Sequence, residues 1–123
     1  MDIFNAAKTG NLQFISAFQA KGGDLNCRDP NGMTPLVLAV DANQEGAVQL
    51  LLSYRVDVNA VDKWGQTALM LAAGRTNDMC TRLLLEARAD LKVRAKNGLT
   101  ALGYATDNGS AESAKILKRA GAR

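Results

Sequence analysis

The sequence contains no histidine. That removes the commonest general base and the commonest metal ligand, and with them Ser-His-Asp, Cys-His and zinc-histidine chemistry. Cysteine is nearly as scarce: Cys27 and Cys80 stand alone, spaced like neither a metal motif nor a CxxC redox pair, so a reducing compartment is expected. Aromatic residues make up 5% of the chain while alanine, leucine and glycine dominate, which suits closely packed helices better than a β-sandwich. No stretch approaches the roughly 20 apolar residues of a membrane-spanning helix, and the opening MDIFNAAKTG lacks the basic start and apolar run of a secretory leader. A cytoplasmic protein without membrane attachment is expected; export stays open to a chain whose leader was trimmed away.

What is present is one domain's worth of apolar material, 47% of 123 residues, enough for a continuous core. The 15 basic and 12 acidic side chains leave a net charge of +3, well short of a dedicated nucleic-acid binder. The charge is unevenly spread: residues 1–60 carry −2 and residues 61–123 carry +5. Much of the excess lies in Arg88, Lys92, Arg94 and Lys96, a run that could steer an acidic partner and equally suits a solvated face.

The dominant signal is internal repetition. Gly32, Gly65 and Gly98 recur every 33 residues, followed in the same phase by Thr34, Thr67 and Thr100, by Leu36, Leu69 and Leu102, and by Ala39, Ala72 and Ala105. Leu51, Leu84 and Leu117 keep this register, as do Asp24, Asp57 and Asp90, each with an aliphatic residue behind it. Each unit reads as a turn and two short helices. DPNG at 29–32 is turn chemistry, and Thr34-Pro35 starts a helix over about 35–42 with a hydroxyl cap and a proline at its first position. A second helix over 45–54 gathers Val48, Leu51 and Leu52 on one face, and 56–61 runs extended into the next turn. No unit this short buries its apolar face alone, so neighbouring units must stack.

The segments DPNGMTPLVLAV and DKWGQTALMLAA, with DVNA at 57–60, resemble the ankyrin signature D-x-x-G-x-T-P-L-x-x-A. The resemblance runs through the whole chain and implies an all-α ankyrin-repeat solenoid of stacked helix-turn-helix units joined by β-hairpin-like turns. Its expected divisions are an N-cap repeat at 1–28, repeats at 29–61 and 62–94, and a C-cap repeat at 95–123. Departures from the pattern carry weight. Val37, Met70 and Gly103 replace the usual histidine, whose hydrogen bond to the threonine is lost, and Ala68 and Ala101 replace the proline kept at Pro35. A softer solenoid is expected, opening first in its last repeat.

Other groups are absorbed by the repeat. Asp29 and Asp62 belong to turns, and Asp24, Asp57 and Asp90 to loops where their carboxylates bond nearby backbone. The isolated glycines form no phosphate-cradling loop. A full repeat between Cys27 and Cys80 exceeds disulfide reach. Phe4, Phe14 and Phe18 read as cap core, and Tyr104 as a core-facing replacement for the leucines at 38 and 71 whose hydroxyl needs a partner. No catalytic, cofactor or metal constellation is left, so an enzyme is not expected.

By the resemblance, the turns form fingers and the first helices line a concave groove where partners bind. The variable finger positions are Pro30, Asn31 and Met33, then Lys63, Trp64 and Gln66, then Lys96, Asn97 and Leu99. Met33, Trp64 and Leu99 are expected outside the core as an apolar contact set with Trp64 at its centre, and Asp41, Arg75, Asp107, Asn108 and Tyr54 as a polar rim. The expected activity is non-catalytic binding of another protein by a monomer, with nucleic acid disfavoured by the few stacking aromatics. A dedicated inhibitor that blocks an enzyme's active site is the second reading.

Overall fold

A computed structural model describes residues 2–122; the outermost residues of the two expected caps, 1 and 123, lie outside them. The described residues form eight helices and no strands. They pair in chain order: α1 (Ile3–Thr9) with α2 (Leu12–Ala20), α3 (Pro35–Asp41) with α4 (Glu45–Ser53), α5 (Ala68–Gly74) with α6 (Asp78–Glu86), and α7 (Ala101–Asp107) with α8 (Ala111–Arg119). The odd-numbered helices pack on one another as an inner layer and the even-numbered ones as an outer layer. This is the stacked array of helix pairs that the repeat implies, and α3 and α4 end within a residue of the limits expected for the second unit.

Local chemistry sets each start. Thr34, Thr67 and Thr100 are extended residues whose hydroxyls accept the backbone N–H of Val37, Met70 and Gly103 at 3.3 Å each. They satisfy donors that a helix N-terminus leaves orphaned. In the third pair the Met70 sulfur also accepts the Thr67 N–H at 3.4 Å, so a thioether bonds the capping residue where the family carries an imidazole. Asn11 and Asn77 cap α2 and α6 in the same way.

The inner helices touch through methyl groups: Ala6, Ala39, Ala72 and Ala105 are all fully buried. Leu51, Leu84 and Leu117, also fully buried, fill the space between layers. Leu102 is half-buried where Leu36 and Leu69 are not accessible, so the fourth pair is packed on fewer sides. Phe4, Phe14 and Phe18 pack against this core as the cap reading expects.

A second periodic system joins the loops. Asp24, Asp57 and Asp90 each accept the N–H two residues on, at 2.8, 3.0 and 2.8 Å, which fixes three identical turns. The Asn26 amide oxygen then accepts the Asp57 N–H, and the Asn59 oxygen the Asp90 N–H, at 2.8 Å each. Each loop is thereby tied to the one before it. The outer-helix junctions adopt left-handed backbone at four residues other than glycine, Asn43, Arg55, Thr76 and Arg88. Thr76 is β-branched, an unfavourable choice there, and its hydroxyl lies 2.7 Å from that of Ser110 in the next pair.

The fingers are the hairpin-like turns at 29–33, 62–66 and 95–99. Their ends are bonded from Asp29 N to the Met33 carbonyl at 3.0 Å, from Asp62 to Gln66 at 3.1 Å, and from Ala95 to Leu99 at 2.9 Å. Adjacent fingers are stitched by Lys63 N to the Asn31 carbonyl and Lys96 N to the Trp64 carbonyl, both 3.0 Å. Gly65 has φ +77°, and a Cβ there would sit 3.1 Å from the backbone nitrogen of Lys96. Gly98 has φ +85° but meets nothing within 4 Å.

The two glycines separate conformational strain from steric approach. Gly98→Ala is expected to cost about 1–2 kcal/mol for left-handed backbone alone. Gly65→Ala should cost clearly more, because it also pushes the third finger off the second. Urea unfolding of both variants measures the gap; equal midpoints would show that the finger contact adds nothing.

Candidate binding surface

The fingers are rigid because their carboxylates face inward. Asp29 Oδ1 accepts the N–H of Asn31 and Met33, and Asp62 Oδ1 those of Trp64 and Gln66, all at 2.9 Å. Asp62 is 5% exposed and its second oxygen makes no hydrogen bond. The third finger has Ala95 at this position, and Asn97 supplies the acceptor instead, taking the Leu99 N–H at 3.0 Å. Rigid turns of this kind hold the intervening side chains out at fixed spacing.

The apolar trio divides. Trp64 is 47% exposed, with the Lys63 ammonium 4.6 Å from its ring centroid, a cation–π contact that leaves much of the indole open to a partner. Met33 is half-buried against the core, and Leu99 is half-buried over Gly103, where a Cβ would come within 3.1 Å of its Cδ2. Both are more covered than Trp64, Met33 by packing against the core and Leu99 at its edge. Leu99 turns back onto α7, the helix it precedes, whereas Gln66 at the same place in the second finger reaches forward to Tyr104 on α7.

Tyr104 packs against the core as expected, and its hydroxyl has the partners it needs. It is half-buried, and its hydroxyl oxygen accepts the Gln66 amide at 3.1 Å and the Asn97 amide at 3.0 Å. The side chain therefore braces two fingers from the inner helix α7 while its ring packs against the core. Lys63, Trp64, Gln66, Lys96, Asn97 and Tyr104 thus come together at the second and third fingers. Asn31 lies on the first finger, exposed, with its carbonyl bonded to Lys63 N.

The residues expected as a polar rim lie at the helix ends, away from the fingers. Asp41 and Arg75 form an ion pair of 2.8 Å at the far ends of α3 and α5, a helix length of about 10 Å from the fingers. With side chains 34% and 60% exposed, the pair contributes little to stability. They border a shallow cleft of about 400 Å³ that also includes Asn43, Glu45, Asn77 and Met79. Tyr54 ends the outer helix α4, and its hydroxyl donates to Ser16 Oγ on α2 at 3.3 Å, so it joins neither the fingers nor this cleft. Asp107 is exposed, and the Asn108 amide bonds the Tyr104 carbonyl at 3.0 Å.

Both cysteines are free thiols. Burial raises the Cys80 pKa to about 11, and burial followed by the nearby Asp24 charge raises that of Cys27. Neither environment activates a nucleophile. Among the described residues no group of three or more His, Cys, Asp or Glu could hold a metal ion, and no helix is long and apolar enough to cross a membrane.

A family model described as ankyrin repeats, in three copies, matches residues 3–62 and 42–123. The chain belongs to the ankyrin-repeat family, whose members in general serve as non-catalytic modules that bind other proteins. A search of curated proteins found no match.

The thiols give a pH test. A folded-state pKa above the unfolded value means the native state holds its proton more tightly, so the Cys80 contribution is intact below about pH 9 and is lost as pH rises towards 11. Stability of the native chain should fall over that window by more than that of Cys80→Ala, followed by urea midpoint. A parallel pH dependence would deny the shift.

Proposed function

We propose that this chain binds a partner protein through the exposed face of its second and third fingers and the adjoining inner helix, with Trp64 as the anchor. The observation that carries this is a large rigid indole held half in solvent by a finger in which every backbone N–H from Asp62 to Gln66 is hydrogen-bonded. Tryptophan is enriched at binding hot spots because it buries much area at low entropic cost. Lys63, Gln66, Lys96 and Asn97 surround it as a polar margin, the arrangement of an interface core and rim. Met33 and Leu99 support the finger bases and contribute contact area at most. Asn31 borders the surface on the first finger, whereas Asp41, Arg75 and Tyr54 lie outside it.

The test is affinity capture with the complete chain and with Trp64→Ala, followed by measurement of Kd for the recovered partner. The variant should lose about 2 kcal/mol, roughly thirtyfold in Kd, with its circular dichroism and urea midpoint unchanged. Unaltered affinity would remove Trp64 from the interface and the reading with it. A recovered enzyme whose turnover falls on mixing would make the chain an inhibitor.

A further inference from the structure

The same surface carries an electrostatic and hydrogen-bonding specification narrower than "a protein". Lys63 and Lys96 occupy equivalent positions on adjacent fingers, where the first finger has Pro30, and both are exposed. The ion pairs among the described residues, Asp41 with Arg75 and Arg82 with Glu112, involve neither lysine. The only finger carboxylate beside them, that of Asp62, is buried and committed to its own turn. The two lysines thus stand in register on adjacent, bonded fingers, with the Lys63 ammonium over the Trp64 ring.

Tyr104 adds direction. Its oxygen accepts both the Gln66 and Asn97 amides, which uses both of its acceptor positions and leaves the hydroxyl hydrogen to donate outward. Both amides come from the fingers that carry the lysines and Trp64. A hydroxyl donor with two cations nearby suits a carboxylate, and the open indole suits an apolar side chain next to it.

We propose that the surface between the second and third fingers takes an extended acidic segment of a partner protein. Its carboxylate sits between Lys63 and Lys96 and accepts the Tyr104 hydroxyl, and a neighbouring apolar side chain lies on Trp64. This rests on the finger-binding reading above and gives its partner a chemistry. Nucleic acid fits less well. A phosphate backbone needs a longer row of free cations than two lysines, and the guanidinium groups of Arg28 and Arg94 beside the first and third fingers are bonded to the carbonyls of Gly32 and Gly98.

The experiment selects a displayed library of random short peptides on the complete chain and measures the enriched peptides by fluorescence polarisation. Trp64, the single tryptophan, reports contact through its own emission. Enriched peptides should pair Asp or Glu with Leu, Met or Phe and shift that emission. Their affinity should fall about tenfold or more in the Lys63→Ala/Lys96→Ala double variant and in Tyr104→Phe, each loss reflecting a charge-assisted contact. The lysine variant, altered only at exposed positions, keeps the test valid should Tyr104→Phe loosen the fingers.

Peptides that need Trp64 but show no acidic preference, or that ignore both variants, overturn this inference and leave the finger surface standing. Peptides indifferent to Trp64→Ala, or a library that enriches nothing, overturn both. A single-stranded RNA oligonucleotide that displaces the peptide at lower concentration than the peptide itself overturns the choice of a protein segment.

Discussion

The stacking of one helix pair on the next through small side chains governs the rest of this molecule. Inner helices of seven residues fall below the roughly 12–15 at which an isolated helix holds together in water, so their helicity is borrowed from contact with neighbours. Ala6, Ala39, Ala72 and Ala105, fully buried, let those neighbours approach closely. A larger side chain at any of them would separate two layers at once. The same approach brings Lys63 N to the Asn31 carbonyl and Lys96 N to the Trp64 carbonyl, so finger spacing is a by-product of core packing. The binding surface is in this sense the outer edge of the core's own geometry.

Where the period was visible, the fold was legible. Glycine, threonine, leucine and alanine repeating every 33 residues marked out the helix pairs, and in the second unit the structure moves the limits by a residue at most. Trp64 was legible too, since a finger position with a large apolar residue faces solvent unless something covers it. How far Met33 and Leu99 are covered was not legible, because the same frame cannot show which way a side chain turns at the finger base. Tyr104 was legible as a core-facing ring whose hydroxyl needs a partner, but the partners were not. Its partners Gln66 and Asn97 lie 38 and 7 residues away, and the network exists only after the fingers stack.

One signal was there to be found. Asn26 and Asn59 stand 33 residues apart, and each amide ties its loop to the next, yet asparagine in a loop reads first as turn chemistry. Lys92 takes that place in the third loop. Likewise the absence of histidine reads as loss, whereas Met70 supplies a sulfur acceptor at one of the vacated positions. Substitution inside a repeat frame changes the partner of a hydrogen bond more readily than it abolishes the frame.

The left-handed residues at the outer-helix junctions bear on how such a chain could be taken apart and rebuilt. Asn43, Thr76, Arg55 and Arg88 hold this conformation in the two central pairs, while glycine holds the matching places in the outer pairs, at Gly10, Gly109, Gly22 and Gly121. A central unit thus adopts a backbone its own side chains resist, and Thr76 does so with a hydroxyl set against Ser110 of the following pair. The units share a shape without being exchangeable parts. A shuffled or shortened array that moves a central unit to the end would keep its strain and lose the neighbour that offsets it, so the order of repeats is itself a stored property of the sequence.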